Sequence, residues 1–353
     1  MNLDDTSRFR QLDPENMLSM IDGLPSQLQS AWELGLSLPL PEMDGISQVV
    51  IAGLGGSAIG GDLVTSYAAP LASVPISVWR NYDLPAHARD PHTLVISSSH
   101  SGNTEETLSS FERALKMKTS LLAITTGGEL ARQAQNSKVP VWIFEHTGQP
   151  RAAIGFSAGL LLAALFRLGI IPDPSTEIAG AVAAMQAQQE TLRAEVPAVK
   201  NPAKRMAGQL VERWPVIISA GLLAPVARRW RTQIAELAKA VAQFEELPEA
   251  NHNMLAGVVN PESLFERTMV LFLRSTLNHP RNLLRIQATR QAFMVEGFNT
   301  DIIDAQGDTR LAQMWTCLHF GDYVSYFLAM AYSIDPTPVD AIETLKVQLK
   351  KPD

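Results

Sequence analysis

The segment Ser99-His100-Ser101-Gly102-Asn103-Thr104 concentrates hydroxyl donors around one glycine. It follows the apolar run Thr93-Leu94-Val95-Ile96 and precedes Glu105-Glu106-Thr107-Leu108, which reads as the start of a helix. A strand, a hydroxyl-rich turn and a helix N-terminus make an anion site, because the free N–H groups of the first helical turn favour negative charge. Phosphate is the natural guest. No Gly-Lys-Ser/Thr follows, so the turn is not a Walker loop for a nucleoside triphosphate. Turns of this kind also serve as plain helix caps. A second turn strengthens the phosphate reading. Val49-Val50-Ile51-Ala52 is an apolar strand, and Gly53-Leu54-Gly55-Gly56-Ser57-Ala58-Ile59-Gly60-Gly61-Asp62 follows at once. Its glycine register is loose for a dinucleotide fingerprint. Two adjacent turns, one glycine-rich and one hydroxyl-rich, suit a single small phosphorylated ligand.

These turns need a parallel sheet to bring them together. Strands are expected at Val49 to Ala52, Ile76 to Trp79, Leu94 to Ser97, Leu121 to Ile124 and Val141 to Phe144. Helices are expected at Ile59 to Ala68, at Thr104 to Met117 and from about Glu129. Short apolar runs alternating with helical segments argue for a doubly wound α/β sheet. Residues 1 to about 45 read as helical, with Pro14 and Pro25 as breakers. Helices are also expected at Arg151 to Leu168 and Glu177 to Val196. A second alternating half then begins, with strands at Val216 to Ser219, Met269 to Arg274 and Asn299 to Asp304. Its helices are expected at Ala224 to Val241, Pro280 to Glu296, Leu311 to Tyr332 and Val339 to Leu349. The predicted division is residues 1–170 and residues 171–353. In such sheets a ligand sits outside the carboxyl ends of the strands, where both turns fall.

Composition sets the outer limits. A chain of 353 residues that is 46% hydrophobic and 18% charged has material for two globular domains with sizeable cores. The net charge of −7 and the lack of a basic run speak against nucleic acid as a partner. The single cysteine, Cys317, allows no internal disulfide and reads as a small core residue. The start Met1-Asn2-Leu3-Asp4-Asp5 is unlike a signal peptide, and the longest apolar run, about Ala158 to Leu168, is too short to span a bilayer. The expectation is a cytoplasmic protein without a membrane anchor. Cys317-x-His319 lacks the spacing and partners of a metal site, so neither a metal nor another cofactor is expected.

Four segments taken in order resemble a known family: Gly53 to Asp62; Ser99 to Thr107; Pro150-Arg151; and Glu246-Leu247-Pro248-Glu249-Ala250-Asn251-His252-Asn253. The set is similar to the bifunctional phosphoglucose/phosphomannose isomerases, two-domain members of the sugar isomerase (SIS) superfamily. The resemblance runs from about residue 49 to the C-terminus. It implies two SIS domains, each a parallel doubly wound α/β/α sandwich, usually assembled as a homodimer. It implies metal-free interconversion of glucose 6-phosphate or mannose 6-phosphate with fructose 6-phosphate. By the same resemblance Gly56, Ser57, Ser99, Ser101 and Thr104 hold the phosphate, and Arg151 steadies the enediolate. Glu236 is the proton-transferring base. His252 opens the sugar ring from the neighbouring subunit, and Lys346 helps it.

The residues themselves make a workable kit for that chemistry. Aldose–ketose isomerisation moves a proton between C2 and C1, which calls for a partly desolvated carboxylate and a positive group near the developing oxyanion. Glu236 falls off the apolar stripe Ile234, Leu237, Ala238 and Val241, as a solvated glutamate also would. Glu245, Glu246 and Glu249 stay as rival bases. His252 lies between Asn251 and Asn253, whose amides can fix an imidazole tautomer. Arg151 at a helix start opposes the helix dipole unless an anion is near. Lys346 shares its charged helix with Lys350 and Lys351, where solvation is the ordinary role. His100 stands where the family often has an aromatic residue such as tyrosine. Strand alternation should turn its side chain away from the phosphate. The resemblance also implies a threonine near the C-terminal helix in epimer choice, for which Thr337 is the candidate. The competing reading is a non-catalytic SIS protein that binds a sugar phosphate and regulates something else; it would have no need of Glu236 and His252.

Overall fold

A computed structural model describes residues 2–349; Lys350 and Lys351 lie outside the described residues. The chain opens with three helices, α1 (Thr6–Leu12), α2 (Met17–Asp22) and α3 (Leu24–Ser37). Pro25 does not break a helix here; it stands in the first turn of α3, where the missing N–H costs nothing. Then follow β1 (Gln48–Ala52), α4 (Gly55–Ala68), β2 (Ile76–Trp79), β3 (Thr93–Ser99), α5 (Glu105–Met117), β4 (Ser120–Thr125), α6 (Gly128–Asn136) and β5 (Val141–Ile143). A 3-10 turn, Pro150–Ala152, leads into α7 (Ile154–Arg167) and α8 (Ser175–Leu192). The second half comprises α9 (Pro202–Leu210), β6 (Trp214–Ala220), α10 (Ala224–Leu237), β7 (Gln243–Leu247), β8 (Thr268–Arg274), α11 (Pro280–Val295), β9 (Asn299–Asp304), α12 (Arg310–Tyr332) and α13 (Asp340–Leu349).

The strands form two sheets, ordered β2-β1-β3-β4-β5 and β7-β6-β8-β9, and every pairing is parallel. The doubly wound α/β expectation therefore holds for both halves. Alternation along the strands divides the first sheet between two layers. Val49, Ile51, Leu94, Ile96, Leu122 and Ile124 join the main core, while Val50, Ala52, Val95 and Ala123 pack with Phe111 and Ala114 of α5 and Leu130 and Ala134 of α6. The second sheet does the same, with Ile217, Leu271 and Leu273 toward α10 and α12, and Val270 and Phe272 toward Ile286 and Phe293 of α11. α12 is buried over almost its whole length, and Cys317 and His319 are core residues on it. Among the described residues no helix is long and apolar enough to cross a membrane.

Two elements lie outside the sequence-based expectations. α9 carries the ordinary start signal, an Asn201 side chain capping Ala203 and Lys204 ahead of Pro202 at the helix start. β7 is an edge strand whose Gln243-Phe244-Glu245-Glu246-Leu247 sequence lacks an apolar run. α10 ends at Leu237, short of the expected Val241, because Lys239 turns left-handed with φ 53°.

Candidate active site

In each sheet the order reverses direction between two central strands, and a crevice opens there at their carboxyl ends. In the first sheet these are β1 and β3, so the crevice lies between the turn before α4 and the turn before α5. Neither helix has a side-chain cap. Their first-turn N–H groups therefore face the crevice without a partner from their own helix. Thr104 occupies the N-cap position of α5, yet its hydroxyl pairs with Ser99 Oγ at 2.9 Å. Ser99 Oγ accepts the Gly102 N–H at 3.2 Å, and Ser101 Oγ accepts the Asn103 N–H at 3.2 Å. Ser101 thus keeps its own proton to donate, and the Ser99–Thr104 pair leaves one hydroxyl proton over. Ser57 is buried and makes no side-chain hydrogen bond among the described residues. The turn depends on Gly102, which has φ 67° and would place a Cβ 1.9 Å from Gly127 O.

Gly56 joins this crevice to the rest of the site. A Cβ there would stand 2.9 Å from Pro150 O, so the start of α4 lies against the turn that carries Arg151. The Arg151 side chain is buried at 4% exposure. Its Nη2 donates to Pro336 O at 2.9 Å and to Thr337 O, and its Nη1 stands 3.5 Å from Glu236 Oε2. Burial lowers the pKa of the guanidinium, and the charge of Glu236 opposes that shift. Glu236 lies on α10 with a side chain 30% exposed, so its carboxylate is shielded on one side and open on the other. The Arg151 backbone is fixed from behind: Arg229 Nη2 donates to Arg151 O at 3.1 Å and pairs with Asp322 at 2.7 Å, while Gln233 donates to Asp322 at 3.0 Å. Removing one partner of such a buried pair typically costs about 3–5 kcal/mol. The dipole conflict at Arg151 is thus resolved by an anion and two carbonyls. Thr337 is buried beside the guanidinium, and its Oγ1 has no hydrogen-bond partner.

The arrangement is an anion cradle with a carboxylate–guanidinium pair nearby, set between the two sheets. Among the described residues no group of three or more His, Cys, Asp and Glu side chains is placed to hold a metal. Residues 199–349 match the bacterial phospho-glucose isomerase C-terminal SIS domain. The bifunctional phosphoglucose/phosphomannose isomerase of Caldicellulosiruptor bescii is 39% identical over 94% of this chain and 98% of its own length. The protein of that name from Aquifex aeolicus is 32% identical, over 96% of this chain and 99% of its own. The chain belongs to the bifunctional phosphoglucose/phosphomannose isomerase family. The fold extends to more distant proteins. The crystal structure of a hypothetical protein of Thermus thermophilus superposes with a TM-score of 0.74 at 16% identity, covering 98% of this chain and 93% of that one.

Within this isomerase family member, one chain gathers Gly56, Ser57, Ser99, Ser101, Thr104, Arg151 and Glu236, and leaves two expected residues outside. His252 ends a short 3-10 turn, is exposed and touches neither Arg151 nor Glu236. The amides beside it do not set its tautomer: Asn251 bonds Thr289 and Arg285, and Asn253 bonds Glu249 and the Met254 N–H. They brace the turn instead. Lys346 is exposed on α13 and pairs with Glu343 at 2.7 Å. Two of the rival carboxylates are engaged elsewhere: Glu245 accepts from Gln243, and Glu249 accepts from Asn253. Glu246 makes no side-chain hydrogen bond or ion pair among the described residues, and burial raises its pKa, with Arg228 opposing and Asp62 adding to the shift. His100 packs on Phe144 and shares a 3.0 Å hydrogen bond with His146 Nδ1, and burial lowers its pKa to about 4. Sequence reasoning missed Lys239, whose Nζ donates to Glu236 O at 2.6 Å and Pro336 O at 3.2 Å. Sequence offered no signal for it, because the expected helix ran on to Val241 and placed Lys239 inside it.

Proposed function

We propose that this chain is an aldose–ketose isomerase that interconverts glucose 6-phosphate and mannose 6-phosphate with fructose 6-phosphate through a cis-enediol. The phosphate sits in the crevice of Gly56, Ser57, Ser99, Ser101 and Thr104. The Glu236 carboxylate carries the proton between C1 and C2, and Arg151 steadies the oxygen that gains charge. The observation that carries this reading is the Arg151–Glu236 pair, 3.5 Å apart, beside an uncapped anion crevice. Relatives named for both isomerase activities along nearly the whole chain support it. We assign residues 1–170 to the first SIS domain and 171–353 to the second. Because a charged sugar phosphate does not cross a bilayer unaided, action in the cytoplasm follows.

Ring opening needs an acid–base group that one chain does not bring to Glu236. We assign it to His252 of the partner subunit in a homodimer, with Lys346 in support. The exposed Ile342, Leu345 and Leu349 share one side of α13 and offer an apolar face for a second copy. Mixing Glu236→Gln with His252→Asn protein should restore activity through hybrid dimers; light scattering gives the assembly state directly.

The main test uses fructose 6-phosphate with EDTA present, both aldose products being followed. Wild type should turn over without metal, and Glu236→Gln should lose about 10²–10⁴-fold in kcat, as expected for a missing general base. Glucose 6-phosphate as sole product would restrict the reaction to one epimer. Binding without turnover would instead identify a sugar-phosphate-binding regulator.

A further inference from the structure

Lys239 stands at the first left-handed position after α10, with φ 53° and Ala238 as the cap. Glycine or asparagine usually takes that position, since a side chain there is strained. The strain is matched by an unusual set of contacts. The lysine is exposed as a residue, yet its ammonium folds back onto the chain. Nζ donates to the carbonyls of Glu236 at 2.6 Å and Leu237 at 3.5 Å, which are free carbonyls of the helix end. It also reaches Pro336 O at 3.2 Å. That carbonyl is the one that accepts Arg151 Nη2 at 2.9 Å. One ammonium therefore joins the residue that presents the carboxylate to the segment that holds the guanidinium.

We infer that Lys239 is a positioning residue for the isomerisation: its ammonium pins the end of α10, with Glu236, to the Pro336–Thr337 segment that fixes Arg151. This rests on the function proposed above. The spacing makes the case specific. Charge-assisted contacts of this type close to about 2.7–2.9 Å when free to do so. Here Arg151 Nη1 and Glu236 Oε2 stay 3.5 Å apart. Tying α10 to the Pro336–Thr337 segment fixes where the carboxylate stands relative to the guanidinium and to the sugar. Released, Glu236 is no longer held at that position, while the phosphate crevice on the other sheet is untouched. The expected signature is a loss in kcat with little change in KM.

The surroundings also give a pH signature. Arg151 faces Lys239 from the 3-10 turn, Glu236 from α10, Asp335 from the chain after α12 and Asp340 from α13; Arg213 borders the same shallow pocket. Desolvation, followed by the charge of Arg151, brings the ammonium down to about 8. Above that pH the amine loses a donor and its charge, and the clamp weakens.

The experiment compares wild type, Lys239→Met and Lys239→Arg, with kcat and KM for fructose 6-phosphate from pH 6 to about 9.5 and a thermal melt of each. Lys239→Met should lower kcat by about tenfold or more, with KM within about threefold. Lys239→Arg should restore most of kcat and remove the decline above about pH 8, because arginine does not titrate there. Wild-type kinetics in Lys239→Met at every pH overturn the inference while leaving the proposed function intact. So does a kcat loss that tracks a lowered melting point and is not rescued by arginine. If Lys239→Met does not fold, the arginine variant decides: a missing alkaline decline supports the clamp, and an unchanged one overturns it. An inactive wild type overturns the proposed function, and this inference with it.

Discussion

The two sheets offer the same opening twice, and only one is left empty of side chains. In the first, between β1 and β3, Ser101 and the Ser99–Thr104 pair each retain a hydroxyl proton to donate, and α4 and α5 start without caps. In the second, between β6 and β8, Ser275, Thr276 and Asn278 follow the central strand in a comparable place. There Gln313, buried on α12, fills the position a ligand would take. Its Oε1 accepts from Ser275 Oγ at 2.6 Å and the Thr276 N–H at 3.1 Å, and its Nε2 donates to Thr276 Oγ1 at 2.7 Å and Gly307 O at 2.9 Å. The helix that follows, α11, is capped by His279 and begins with Pro280, which has no N–H to offer. The doubly wound sheet thus supplies an anion cradle at each reversal of strand order. The side chains around it decide whether it binds a ligand or closes as packing.

Breaking the open crevice should produce the largest effect. Gly102→Ala forces a Cβ to within 1.9 Å of Gly127 O at a left-handed residue, so the turn must rearrange. We expect kcat/KM for fructose 6-phosphate to fall by about 100-fold or more, mostly through KM, since the turn binds without reacting. The matching change in the closed crevice, Gln313→Ala, leaves Ser275 Oγ and the Thr276 N–H without their acceptor. That should cost about 2–3 kcal/mol of stability in denaturant unfolding, with KM within about twofold of wild type. A large KM change in Gln313→Ala would mean that the second crevice takes part in binding, and the contrast would fail.

How much of this is legible in the sequence follows from which interactions are local. The hydroxyl turn, the glycine turn and the strands before them announce themselves, because capping, backbone freedom and apolar runs act within a few residues. The central strands are legible for that reason, and β7 is not: at a sheet edge, Gln243-Phe244-Glu245-Glu246-Leu247 needs no apolar run to pair with β6. The Arg151–Glu236 pair joins residues 85 apart in sequence, and composition and periodicity say nothing of it. Only the family resemblance singled out Glu236 over Glu245, Glu246 and Glu249. Gln313 is the harder case. On α12 it reads as one polar position in an apolar helix, and only the strand order shows which crevice it fills.

Acid should separate the crevices further. His100 sits between Ser99 and Ser101, where the closed crevice has no titrating residue among Ser275, Thr276 and Asn278. Burial, and the nearby His146, lower its pKa from 6.5 to about 4 in the folded protein. Between those values the unfolded chain binds the proton and the folded chain does not. The stability gained from a neutral His100 is therefore complete above about pH 6.5 and lost as pH falls through about 4. Buried His319 acts in the same window and the same direction. His100→Gln should reduce the loss of stability between pH 7 and pH 5 by on the order of 1 kcal/mol in denaturant melts, with His319 and His146, both lowered by burial, contributing in the same direction. An unchanged acid slope would mean that His100 is solvated rather than packed on Phe144 and His146.

The smallest effect is the finest test of the contrast. Ser101 is exposed, and its oxygen accepts only from the Asn103 N–H, so its own proton is free for a phosphate. Thr276 is exposed as well, and its oxygen likewise accepts one bond, but from Gln313 Nε2, a side chain that occupies the crevice itself. Removing either hydroxyl deletes one hydrogen bond worth about 1 kcal/mol. In Ser101→Ala the loss should appear mainly in the complex, as a KM about five times higher, with only a slight change in melting from the exposed Asn103 N–H that loses its acceptor. In Thr276→Ala it should appear in the free protein, as a slightly lower melting point with unchanged KM. Equal chemistry removed from two equivalent turns would then register mainly in different measurements, because one crevice is open to a ligand and the other is filled by Gln313. Matching KM effects from the two variants would mean that both crevices bind phosphate.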